Sequence, residues 1–95
     1  MEDPNTLETT TLNKKRLYKR ILAGSRDVRF SDFVALIEAF GFRLSRVTGS
    51  HHIFVREGMR ELINLQIVDG KVKPYQIQQW LKLVERYNLS LENGT

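Results

Sequence analysis

The chain has 95 residues, 41% of them hydrophobic and 27% charged, with no cysteine and a net charge of +4. That length supports a single modest core, and a chain without cysteine can form neither disulfides nor thiolate metal sites. Glu2, Asp3 and Glu8 are the only charged residues before Asn13, so the remainder carries 15 basic against 8 acidic residues, or +7. Such a body attracts polyanions, and the charge alone does not choose between nucleic acid and an acidic protein partner.

Residues 1–12 are polar and threonine-rich without periodicity, and are expected to be a flexible tail ahead of a single domain over 13–95. The opening MEDPNTLETTT has neither a basic n-region nor an apolar core, and FVALI is the longest unbroken apolar run. The expectation is a cytoplasmic protein that neither enters nor crosses a membrane. A basic helix follows in NKKRLYKRILAGS, with Asn13 as its cap, Leu17, Tyr18, Ile21 and Leu22 on its apolar face and Gly24 as its stop. In RFSDFVALIEAFGF, Phe33, Leu36, Ile37 and Phe40 recur at i, i+3, i+4 and i+7. That spacing predicts an amphipathic helix capped by Ser31 or Asp32 and ended at Gly41.

After Gly41 the apolar spacing shortens towards two. Phe42 and Leu44 begin a strand that ends at Thr48-Gly49, HHIFVRE is a second strand, and ELINLQIV is a third, closed by Asp69-Gly70. From Pro74 onward, Ile77, Trp80, Leu81 and Val84 form one stripe of a closing helix. Helices with one apolar stripe and a small meander pack most economically as a two-layer α+β domain.

The only histidines are His51 and His52, directly after a Gly-Ser turn. Neighbours in a strand point to opposite faces, so the pair does not converge on one ion, and no metal site is expected. No nucleophile elbow and no phosphate-cradling glycine loop is present, and no small-molecule cofactor is expected. One histidine acting as general acid or base remains, and RNA is the polyanion that carries its own nucleophile, the 2′-hydroxyl. The plainer reading of His51 is a polar residue at a strand entrance, bonded to backbone and partly buried beside Ile53 and Val55. Trp80 and Phe40 lie on helical stripes and read as core rather than as stacking platforms for bases. Tyr75 is uncommitted.

GFRLSRVTGSHHIFV, preceded by an amphipathic helix and followed by LINLQ and a C-terminal helix, resembles the HicA (YcfA-like) toxins of bacterial toxin-antitoxin systems over roughly residues 30–89. The resemblance implies a fold like a double-stranded-RNA-binding domain, with an α-β-β-β-α core to which the basic helix is an addition. It also implies metal-independent mRNA endoribonuclease activity and neutralisation by a HicB-type antitoxin. Gly49, Ser50 and His51 match the motif, which gives His51 the catalytic role, with His52 as the alternative. Arg43 and Arg46 before the motif, and Lys71 and Lys73 after the third strand, are the candidates for phosphate contacts. DGKVKPYQ departs from the commoner family pattern, in which a proline precedes basic residues or histidine. A non-catalytic RNA-binding module of the same shape is the rival reading.

Overall fold

The structure, a computed structural model, describes the backbone of residues 5–91 and the side chains of residues 13–91. Its elements run α1 (Asn5–Leu22), α2 (Phe30–Ala39), β1 (Arg43–Thr48), β2 (His51–Val55), β3 (Ile63–Gln66) and α3 (Pro74–Arg86). The strands form an antiparallel sheet in the order β1-β2-β3. Elements α2 to α3 thus give the expected α-β-β-β-α core, with α1 added in front.

α1 begins at Asn5, well before Asn13, so Asn13 is an interior residue and not a cap. Neither glycine nor proline interrupts this span, and once a helix is nucleated each added residue gains a hydrogen bond at small cost. Residues 1–4 of the expected tail lie outside the described residues. Leu17 and Ile21 are buried and Tyr18 partly so, whereas Leu22, at the last turn, is exposed.

α2 is capped at Arg29 with no side-chain acceptor, not by Ser31 or Asp32. The Phe30 N–H is satisfied from outside the helix, donating to the Gly70 carbonyl at 2.9 Å. A backbone partner from the turn after β3 has replaced a side-chain cap. At the other end Gly41, at φ 95°, donates to Glu38 and Phe42 donates to Ile37, which closes the helix and turns the chain into β1.

Cross-strand partners share a face. The pairs His52↔Leu65 and Phe54↔Ile63 therefore define one face of the sheet, and His51↔Gln66 and Ile53↔Asn64 the other. Phe54, Ile63 and Leu65 belong to the core with Phe33, Leu36, Ile37 and Phe40 of α2 and Ile77, Trp80 and Val84 of α3. Trp80 is fully buried, edge-on to Tyr18, Phe33 and Phe40 at centroid distances of 6.0, 5.4 and 4.8 Å. It joins all three helices, as an aromatic of this size can when its neighbours present edges to its face.

The C-terminal end of α3 is tied to the loop before β3 through Glu61. Its carboxylate accepts from the Tyr87 hydroxyl at 2.5 Å and from Arg86 Nη1 at 2.8 Å. The Tyr87 bond foremost, then a backbone bond and Arg86, hold this carboxyl below its ordinary 4.5. A depressed folded-state value means stability that is present above the unfolded value and lost as pH falls through the folded one. Thermal melts of Glu61→Gln and wild type should therefore differ most above pH 4.5 and converge in more acid buffer. An equal difference at every pH would exclude the ionised contact as the cause.

Candidate functional site

The turn between β1 and β2 consists of Gly49 and Ser50, flanked by the pair Thr48↔His51. Gly49 has φ 61° and Ser50 has no positive φ, the combination of a type II′ hairpin turn. A Cβ added at position 49 would meet no atom beyond its chain neighbours within 4 Å, so the demand for glycine there is conformational rather than steric. This tight turn sets the first residue of β2, His51, at the rim of the sheet.

His51 is exposed on the outer face, away from the helices, and not partly buried as its periodicity with Ile53 and Val55 suggested. Ile53 is itself buried on that face but lies outside the main core. His51 Nδ1 is 3.0 Å from Asn64 Oδ1. An amide oxygen only accepts, so this contact requires Nδ1 to carry the proton, and neutral imidazole then keeps its lone pair on Nε2. Asn64 is in turn fixed through its backbone: the buried Gln76 of α3 donates Nε2–H to the Asn64 carbonyl at 3.2 Å, while its Oε1 accepts the Lys73 N–H at 3.3 Å. A chain of contacts thus runs from the start of α3 through β3 to the imidazole.

His52 points the other way. It is half-buried, with its ring 4.8 Å from Phe30 and inclined at 60°, and its Nδ1 lies 3.3 Å from the Ser50 carbonyl. That position anchors the first turn of α2 against β2. The two histidines that a sequence reading leaves in competition are separated by the sheet, one facing solvent and one packed.

Arg43 and Arg46 both join the face of His51. In an unbroken strand residues three apart point to opposite sides. Here the register shifts between Leu44 and Arg46, so that Arg43 stands opposite Val55 and Arg46 opposite Ile53. This β-bulge at Ser45 aims both guanidinium groups outward with the imidazole. Lys71 and Lys73 lie elsewhere. Lys71 pairs across a bridge with Arg29 and its ammonium is 2.5 Å from Asp27 Oδ1, a hydrogen-bonded ion pair that holds the Asp27 carboxyl below its ordinary range. Lys73 precedes α3, and its ammonium sits 6.0 Å from the centroid of the exposed Tyr75 ring.

The outer face therefore carries one solvent-facing imidazole, two arginines, and the amides of Asn64 and Gln66. Gln66 Nε2 is 3.4 Å from Ser50 Oγ, which links the third strand to the turn beside His51. Such a surface can take or give a proton next to a bound anion. Asn64 is the residue that sequence reasoning passed over. The alternation Ile63-Asn64-Leu65-Gln66 signals that residues 64 and 66 face outward, but only the strand register puts Asn64 beside His51.

Among the described residues no helix is long and apolar enough to cross a membrane. A family model described as the HicA toxin of bacterial toxin-antitoxin systems matches residues 30–85 of the chain. No curated protein and no solved structure matches.

Proposed function

Because the chain belongs to the HicA toxin family of bacterial toxin-antitoxin systems, we propose that this toxin acts as an mRNA endoribonuclease with His51 as its general acid or base. The observation that carries the reading is the exposed imidazole whose Nδ1 meets Asn64 at 3.0 Å, with Nε2 left to exchange protons with substrate. Nε2 takes the proton of the ribose 2′-hydroxyl, and the resulting oxyanion attacks the adjacent phosphorus. The P–O5′ bond breaks, and the departing 5′ oxygen takes up a proton. The products are a 2′,3′-cyclic phosphate and a 5′-hydroxyl. Arg43 and Arg46, on the same face, hold the phosphate, and guanidinium forks suit its oxygens. No step in this scheme requires a metal ion or a cofactor. A HicB-type antitoxin is the proposed protein partner, and the cytoplasm, where mRNA is found, the proposed site of action.

The reading is tested by incubating the purified chain with a ribosome-free transcript and mapping the ends. New 5′-hydroxyl ends are expected. A transcript that is bound and left intact would favour the rival, a non-catalytic RNA-binding module.

Asn64 acts in this scheme as a positioning residue. Asn64→Leu keeps the size of the side chain and removes the acceptor. Loss of one hydrogen bond of about 0.5–1.5 kcal/mol corresponds to a roughly twofold to thirteenfold fall in kcat. Nitrogen chemical shifts of the His51 ring should show the Nδ1–H form in the wild type and a shift towards the other tautomer in Asn64→Leu. An unchanged tautomer would remove Asn64 from the mechanism whatever happens to the rate.

A further inference from the structure

The positive charge of this chain does not reside in the part that the family shares. Residues 30–85 contain seven basic and six acidic residues, a net +1. Residues 13–29 contain seven basic residues and only Asp27 as an acid, a net +6. The segment that defines the family is almost neutral, and nearly all the attraction for a polyanion comes from α1 and the loop behind it.

The arrangement of these charges is directional. Leu17 and Ile21 point α1 into the core, and at 100° per residue Arg16 and Arg20 fall on one flank while Lys15 and Lys19 fall on the side turned away from the core. Arg16 and Arg20, one turn apart, line a surface groove with Lys14 and Asp32. A second groove shares Arg20 and Asp32 with the first and continues past Arg29 to Lys71. Arg29 is followed by Phe30, whose ring rests on His52 on the helix side of the sheet. Lys71 pairs with Val68, and the adjoining Ile67 N–H donates at 3.4 Å to the carbonyl of Ser50, in the turn at the sheet's rim that precedes His51. Asp27 and Asp32 are the two acids along this path, and Asp27 is already engaged by Lys71. Among the described residues no salt bridge neutralises Lys14, Arg16, Arg20 or Arg29.

We propose that the groove flanked by Lys14, Arg16, Arg20 and Arg29 binds the sugar-phosphate backbone of RNA and leads it to the strand that carries His51. This rests on the reading of the protein as one that acts on RNA. Single-stranded RNA fits better than an acidic protein because the cations are strung along a path that ends at the rim of the sheet, by the turn that precedes His51. Three of the four are also arginines, whose planar forks match phosphate oxygens. The surface gives affinity without base readout, since phosphate contacts position a strand and carry no sequence information.

The test measures binding of a fluorescent single-stranded RNA to the His51→Ala protein between 50 and 300 mM salt, roughly the range over which counterion release is resolved. Changing Lys14, Arg16 and Arg20 together to glutamine removes three phosphate contacts, and the slope of log K against log salt should become shallower by about 2, at roughly 0.7 per contact. Changing Lys15 and Lys19 to glutamine, on the side of α1 turned away from the core, should alter the slope less. The charge-keeping set Lys14→Arg, Arg16→Lys and Arg20→Lys should retain most of it, which separates charge from folding. With His51 intact, the neutralised groove should raise KM for the same RNA and leave kcat nearly unchanged.

An unaltered salt slope in the groove variant, with cleavage intact, overturns the groove and leaves the nuclease reading standing. So does an equal loss from the groove variant and from the Lys15 and Lys19 variant. Loss of an acidic protein partner with RNA affinity unchanged also overturns it, in favour of a protein-docking helix. A shallower slope with no cleavage by any form supports the groove and counts against the nuclease reading alone.

Discussion

His51→Ala is expected to lower the rate of RNA cleavage by about a hundred- to ten-thousand-fold, the span that one general acid or base contributes. RNA affinity should change little, because the removed group exchanges a proton and the cations that hold the phosphate remain. His52→Ala should behave in the opposite way. Its ring packs on Phe30 at 4.8 Å, and loss of an aromatic pair worth roughly 0.5–1.5 kcal/mol should lower the melting temperature by a few degrees while most of the cleavage survives. Steady-state cleavage rates and thermal melts of the two variants, measured side by side, check the assignment. The reverse pattern, with His52→Ala inactive and His51→Ala active, would move the chemistry to the other side of the sheet.

The largest effect on stability is expected at Trp80. Trp80→Ala should cost about 3–5 kcal/mol, because the cavity left by a fully buried indole cannot collapse among Phe33, Phe40 and Tyr18 without disturbing all three helices. Against a total of about 5–15 kcal/mol for a typical domain, that loss leaves a protein close to its unfolding threshold at growth temperature. Tyr75→Ala is the internal comparison: the residue is 55% exposed, and a change of about 0.5 kcal/mol or less is expected. Urea unfolding followed by far-ultraviolet circular dichroism measures both variants, since Trp80, the sole tryptophan, is lost as a fluorescent probe in one of them. A cost for Trp80→Ala no larger than that for Tyr75→Ala would contradict its place at the centre of the core.

The helical spacing of Phe33, Leu36, Ile37 and Phe40, and the stripe of Ile77, Trp80, Leu81 and Val84, were legible because each repeats over several turns; all of these side chains are buried except Leu81, which is partly buried against the core. The hairpin turns were legible for a similar reason, since Gly49 and Asp69-Gly70 supply backbone angles that few other residues adopt. The facing of β2 was not legible. Ile53 and Phe54 are both apolar and adjacent, so period two alone does not say which side of the strand meets the helices. The answer lies in β3, where Ile63 and Leu65 are buried and Asn64 is exposed, and it reaches His51 only through the strand register. The bulge that brings Arg46 to the face of Arg43 depends likewise on pairing between strands. The contact of Asn64 with His51 spans thirteen positions in sequence and leaves no local signature. The cap of α2 escaped for the same reason, because the acceptor for Phe30 is a carbonyl at position 70.

The proposed chemistry requires the ribose hydroxyl of the RNA itself, activated by one imidazole at the edge of the sheet. The most direct measurement follows cleavage of a short RNA by the full chain in EDTA, beside the same RNA with a single 2′-deoxy nucleotide at the cleaved position. The unmodified strand should be cut to a 2′,3′-cyclic phosphate and a 5′-hydroxyl, the deoxy strand should stay intact at that position, and the His51→Ala protein should cut neither appreciably. Cleavage of the deoxy strand at the same rate as the unmodified one, or full activity without His51, would contradict the account.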